Sequence, residues 1–248
     1  MTKKKKIALI LHGWPDFNMK FHFWKLHLEK IGYEVIIPDL FDFEKNFSLD
    51  ETIRFVKKSL GKHDPDFIAG ISFGGFILPH IARDYPKAKL IFIATGPFFK
   101  PGSKIFDLFL KISKFKISVN LGNALLKLPD KLVEFVYSHT YLFRGDGKAQ
   151  EIYQKDMVRN LGYIKKIPIK KDIEILNFVN TVDNSKLLKG LKNESIIYCS
   201  KNDHFLPLTV WKKLHEFLIN SKLITKDGEH FNVFEESDLK TVDEFLKK

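Results

Sequence analysis

Six short apolar runs, rich in β-branched residues, alternate with segments of amphipathic helical periodicity along the chain. The runs are Ile7–Leu11, Tyr33–Pro38, Phe67–Ile71, Leu90–Ala94, Ile196–Ser200 and Lys222–Thr225. Helical patterns lie between or after them, at about 20–31, 49–61, 74–85, 207–219 and 237–247. Strands this short and this apolar must be covered on both faces, so the alternation implies a parallel sheet with crossover helices. Local signals agree. Ser48-Leu49-Asp50-Glu51 reads as a capping box ahead of Ile53 and Val56. Ser237 or Asp238 is expected to start a final helix with Leu239, Val242, Phe245 and Leu246 on one face. Gly32 and Gly61 stand where helix stops are expected.

The alternation breaks once, between Pro97 and Asp183. No convincing core strand falls there. Helical patterns rich in Phe, Leu, Ile and Lys cover 105–117, 123–136 and 151–161, and 164–175 is ambiguous. A stretch of this length is too long for a loop. The expected organisation is therefore a core of residues 1–96 and 184–248 with a helical cap or lid at 97–183.

Composition narrows the class. With 248 residues, of which 44 % are hydrophobic, the chain can form one large domain with an insertion and is not disordered. The single cysteine, Cys199, has no intrachain disulfide partner and falls mid-strand, where a small core residue is expected. Met1–Lys6 is basic like a signal peptide, but the apolar stretch behind it runs directly into His12-Gly13, without a cleavage site. No run is long enough for a membrane span, and a cytoplasmic location is expected. The net charge of +11 raises a nucleic-acid or anionic-membrane partner. Apart from Lys3–Lys6 the lysines are scattered, so no nucleic-acid partner is expected. Lys104, Lys111, Lys114 and Lys116 interleave with Phe106, Phe109, Ile112 and Phe115, which suits a lipid surface. A lid turning that apolar face onto a pocket explains the same pattern and is the favoured reading.

Chemistry enters at Gly70-Ile71-Ser72-Phe73-Gly74-Gly75, a G-x-S-x-G string between an apolar strand and a helical segment. A strand–turn–helix setting is what a nucleophile elbow needs, because a strained tight turn exposes the serine hydroxyl while side chains at Gly70 and Gly74 would collide with backbone. With this elbow the chain resembles the α/β-hydrolase superfamily over nearly its whole length. The resemblance implies an α/β-hydrolase fold: a mostly parallel sheet of about six strands flanked by helices, with the N-terminal antiparallel hairpin absent. It also implies that His12-Gly13-Trp14-Pro15 is the oxyanion loop, with the backbone N–H groups of Trp14 and Phe73 as donors. The His12 side chain is not expected to be catalytic.

In that family the acid and the base follow the serine in order. Ser200-Lys201-Asn202-Asp203-His204-Phe205-Leu206-Pro207 is similar to the acid loop, and Asp227-Gly228-Glu229-His230-Phe231 to the histidine loop. The expected catalytic set is Ser72, His230 and Asp203, with Asp227 or Asp39 as fallback acids and His204 as the rival base. The first third, through His12-Gly13-Trp14, Phe23-Trp24 and Gly32 to Leu40, is similar to the small serine hydrolases related to retinoblastoma-binding protein 9, which lack so long an insertion. Dehalogenases and epoxide hydrolases share the His-Gly-x-Pro loop but carry aspartate at the elbow, which Ser72 argues against. The expected protein is a serine esterase without cofactor or metal, acting on a small-molecule carboxylic ester or lactone, with thioesters chemically close. A catalytically silent binding protein on the same fold is the alternative. Phe98, Phe99, Phe106 and Phe109 are expected to line an acyl pocket of moderate length.

Overall fold

The computed structural model describes residues 5–14, 22–41, 47–100, 108, 111–112, 115–139, 161–162, 165–203, 205–230 and 233–247. Six strands form the sheet: β1 (Lys6–Leu11), β2 (Tyr33–Ile36), β3 (Phe67–Ile71), β4 (Lys89–Ile93), β5 (Ser195–Ser200) and β6 (Ser221–Lys226). They run in the order β2-β1-β3-β4-β5-β6, and every neighbouring pair is parallel. All residues of β3 and β5 are buried, which is why their sequences read as unbroken apolar runs rather than as alternation.

Nine named α-helices surround the sheet: α1 (His22–Lys30), α2 (Leu49–Leu60), α3 (Phe73–Ala82), α4 (Lys116–Leu126), α5 (Asp130–His139), α6 (Ile169–Thr181), α7 (Ser185–Gly190), α8 (Leu208–Phe217) and α9 (Leu239–Lys247) among the described residues. The two-residue alternation of β3 sorts them into layers. On one face Phe67 stacks on Trp24 of α1, while Lys89, its partner across β4, donates to the Phe245 carbonyl of α9. His27 of α1 then joins Asp243 of α9 at 2.9 Å. The opposite face, carrying Gly70, receives α3, which touches α2 and α7. Ser48 caps α2 through the Glu51 N–H, and Gly61 ends it at φ 62°. The last helix is entered through a 3-10 turn at Glu236–Asp238, where Glu235 and Asp238 cap one another reciprocally, so the cap lies two residues before Ser237.

Between β4 and β5 the helices differ from expectation. The pattern at 123–136 is cut in two, because Leu128-Pro129 separates α4 from α5, and a proline ring excludes a continuous helix there. The ambiguous 164–175 stretch yields α6, which begins after Pro168 and continues to Thr181. Most of the 105–117 pattern and residues 151–160 lie outside the described residues. Leu126 of α4, Val133 of α5 and Ile169 of α6 share a small core with Leu161, apart from the main core of the sheet. The two ends of this segment meet: Phe98 and Asp183 form an antiparallel bridge, and the Asn184 N–H donates to the Pro97 carbonyl at 2.8 Å. No described helix is long and apolar enough to cross a membrane.

Candidate active site

Sheet order reverses at β1: β2 lies to one side of it and β3 to the other, which opens a crevice at the carboxyl ends of β1 and β3. Ser72 follows β3 into that crevice. Its φ of 46° and ψ of −111° lie outside the comfortable regions for a residue with a Cβ. The strain is held by hydrogen bonds and close packing. The Ser72 N–H donates to the Ile93 carbonyl at 2.8 Å, and the Gly75 N–H to the Ser72 carbonyl at 3.0 Å. A methyl group at Gly70 would lie 2.7 Å from the Gly75 Cα, so the returning helix closes on β3 only because position 70 has no side chain.

Ser72, His230 and Asp203 come together from three strand ends. His230 Nε2 lies 3.0 Å from Ser72 Oγ, and His230 Nδ1 lies 2.8 Å from Asp203 Oδ2. With Nδ1–H donating to the carboxylate, Nε2 keeps its lone pair for the serine hydroxyl proton. The Asp203 side chain is fully buried, and its other oxygen, Oδ1, accepts the N–H groups of Phe205 and Leu206 at 2.8 and 2.9 Å. The loops after β5 and β6 are tied together by Ser200 Oγ donating to the Glu229 carbonyl and the Asn202 N–H donating to the Gly228 carbonyl. Phe205 packs against the His230 ring with 5.0 Å between centroids.

The fallback acids are engaged elsewhere. Asp227 is exposed and pairs with Lys201, and Asp39 accepts the Phe41 N–H. His204 lies outside the described residues. Cys199 is buried in β5, its thiol pushed up by burial, and has the environment of a core residue. His80 bonds Asn184 within the fold, and burial holds its imidazole below the usual range.

The loop after β1 packs directly on the serine. A methyl group at Gly13 would lie 3.3 Å from Ser72 Cβ. His12 is buried and bonds backbone at both nitrogens: Nε2 accepts the Leu40 N–H at 2.8 Å, which leaves Nδ1–H to donate to the Gly13 carbonyl at 2.8 Å. Across a planar trans peptide the N–H points opposite to the carbonyl, so the Trp14 N–H faces away from the His12 ring. Phe73 is the first residue of α3, and its N–H has no carbonyl a turn earlier to bond.

Several residues of the site carry no sequence signal. The Phe73 ring stacks on Phe41 at 5.6 Å and meets Phe47 and Phe178 edge-on, forming an aromatic cluster beside the serine. Asp172 of α6, nearly buried, accepts the Trp14 indole N–H at 3.0 Å. Burial pushes its carboxyl up to about 7, against the opposing effects of the Trp14 bond and the Lys171 charge. Of the expected pocket residues, Phe98 and Phe99 pack partly buried against the main core, and Phe106 and Phe109 lie outside the described residues. Ile112 and Phe115, expected on the inner face of a lid, are 47 % and 62 % exposed.

An all-parallel sheet with a strained serine at its switch point defines the α/β-hydrolase class. The chain matches the alpha/beta hydrolase fold family over residues 8–237 and belongs to it. Among curated proteins it is similar to the epoxide hydrolase srdG of Neurospora crassa, 26 % identical over 131 residues; the match takes in 47 % of this chain and 38 % of that protein. Among solved structures it is similar to an esterase of Exiguobacterium antarcticum (TM-score 0.66, 17 % identity, 98 % of this chain and 92 % of that one). A bromoperoxidase of Bacillus anthracis superposes comparably (TM-score 0.70, 19 % identity, 98 % and 90 %). At these identities the structural likeness speaks to the fold alone.

Proposed function

We propose that this protein is a serine hydrolase of carboxylic esters. The observation that carries the reading is the pair of hydrogen bonds from Ser72 Oγ to His230 Nε2 and from His230 Nδ1 to Asp203 Oδ2. In the reaction, Ser72 Oγ attacks the acyl carbon while His230 Nε2 takes its proton, and Asp203 stabilises the resulting imidazolium. Negative charge on the former carbonyl oxygen is met by the N–H groups of Phe73 and Trp14. Collapse expels the alcohol, which receives the proton from His230, and leaves an acyl-Ser72. Water, activated by His230, then clears the acyl group as carboxylic acid.

Lactones and thioesters fit the same steps. Epoxide opening, suggested by the Neurospora crassa relative, fits less well. A carboxylate nucleophile gives an ester that water can cleave, whereas a serine nucleophile would give an ether, which it cannot. The aromatic cluster of Phe41, Phe47, Phe73 and Phe178 beside the serine favours apolar acyl groups, with Phe98 and Phe99 as further pocket residues and residues 97–183 as the cap. Each buried methylene would add about 0.8 kcal/mol to binding until the pocket is full. The test is kcat/KM across p-nitrophenyl esters from acetyl to palmitoyl, beside a lactone panel. A rise to a maximum at medium chain length is expected. Turnover of lactones alone would replace the linear-ester reading.

A further inference from the structure

We propose that Asp172 is a positioning residue for acyl transfer: by holding the Trp14 indole N–H, it fixes the Gly13–Trp14 peptide whose N–H meets the acyl oxygen. The inference rests on the serine-hydrolase reading above. Trp14 is the first residue beyond Gly13, and Gly13 is packed against Ser72. From one side, His12 holds the Gly13 carbonyl. From the other, Asp172 Oδ1 takes the far end of the Trp14 side chain at 3.0 Å, across 158 residues of sequence. A tryptophan has two side-chain torsions, so pinning its indole nitrogen restrains the backbone that carries it.

Asp172 itself sits on a fixed support. Lys171, its neighbour on α6, is buried and donates to the Phe41 carbonyl at 2.9 Å. Glu174, two residues on, accepts the Phe47 N–H at 2.7 Å. Among the described residues the helix is therefore anchored on the oxyanion side of the site by these polar contacts, and the Asp172 contact reaches the loop that follows β1. A buried carboxylate costs stability, while its removal takes the acceptor from the Trp14 indole N–H. A structural role alone thus predicts that removing the carboxylate shifts the melting temperature and leaves kcat unchanged. The positioning role predicts that the same change slows the reaction.

The experiment measures kcat and KM for p-nitrophenyl butyrate, inhibition by a trifluoromethyl ketone and the melting temperature at pH 8. It compares wild type with Asp172→Leu, Asp172→Asn, Trp14→Phe and the Trp14→Phe/Asp172→Leu double variant. The ketone forms a tetrahedral adduct whose oxyanion uses the same N–H groups. Asp172→Leu should lose kcat by about 10- to 100-fold at temperatures where it is fully folded, less than outright removal of an oxyanion donor. Its KM should stay within about twofold, and the ketone should weaken in step with kcat. Asp172→Asn, whose Oδ1 still accepts the indole N–H, should restore most of the turnover. Trp14→Phe should show the same loss, and the double variant no further loss. Wild-type kcat in Asp172→Leu or in Trp14→Phe, multiplying losses in the double variant, or a change confined to KM would overturn the role. If Asp172→Leu does not fold, Trp14→Phe and Asp172→Asn still decide. Ser72→Ala separates the two claims: full turnover in that variant removes the serine-hydrolase reading and this inference together. An inactive Ser72→Ala beside a fully active Asp172→Leu removes only the inference.

Discussion

Gly74 lies so close to Leu11 that a methyl group on its α-carbon would stand 2.1 Å from the Leu11 carbonyl oxygen. Its own N–H donates to the next carbonyl, His12, at 3.1 Å. The turn that presents Ser72 and the strand β1 that leads to His12 are thus joined by backbone, and their spacing leaves no room for a Cβ. Gly74→Ala cannot be relieved by a rotamer change. It should cost about 3 kcal/mol or more in urea unfolding and lower turnover in the fraction that folds.

His12 acts in the same junction through its ring. Replacing it by alanine leaves the Leu40 N–H and the Gly13 carbonyl without the partners that now satisfy them. Each unsatisfied buried group costs about 1–3 kcal/mol, so His12→Ala should destabilise clearly and slow acyl transfer even though the imidazole moves no proton. An unchanged melting temperature would contradict this.

The choice of acid can be tested by an amide swap. Asp203→Asn keeps the shape but favours the wrong histidine tautomer, and kcat should fall by roughly 10⁴. Asp227→Asn should behave as wild type, because Asp227 is 86 % exposed and pairs only with Lys201 among the described residues. The reverse pattern would move the acid to position 227.

Much of this was legible in the sequence because it is local. The fully buried strands β3 and β5 must be apolar on both faces and so register as unbroken runs, while the half-exposed β2 and β6 carry Glu34 and Lys222; all six runs form strands. The elbow is local too, since a strained serine between a strand and a helix needs small neighbours within two residues. Pairing Asp203 with His230 drew on the family resemblance, and both follow adjacent parallel strands, β5 and β6. Where contacts are remote, the pattern is silent. Asp172 reads as an ordinary charge on an ambiguous segment, and only tertiary packing brings it to Trp14. Phe41, Phe47 and Phe178 come from separate segments with no shared spacing. The 123–136 pattern looked continuous because apolar periodicity survives across Pro129, while the helix does not.

Asp172 also gives stability a pH dependence of definite sign. Folded, its carboxyl is pushed up to about 7; unfolded, it ionises near ~4. Between those values the folded chain binds the extra proton, so stability from this group is full below the unfolded value and is lost as pH rises through about 7. Asp172→Asn should therefore unfold at higher temperature than wild type at pH 8. The difference should shrink steadily as the pH is lowered toward 5. A difference that is constant with pH, or grows as pH falls, would contradict the assignment.

The serine-hydrolase reading is tested most directly by the site of covalent capture by a fluorophosphonate, read by peptide mass spectrometry of wild type and Ser72→Ala. Ser72 should be the one phosphonylated serine in the wild type, with no adduct in the variant, because His230 Nε2 holds the Ser72 hydroxyl. Labelling that persists undiminished in Ser72→Ala, or an adduct mapped to another residue of the wild type, would contradict it.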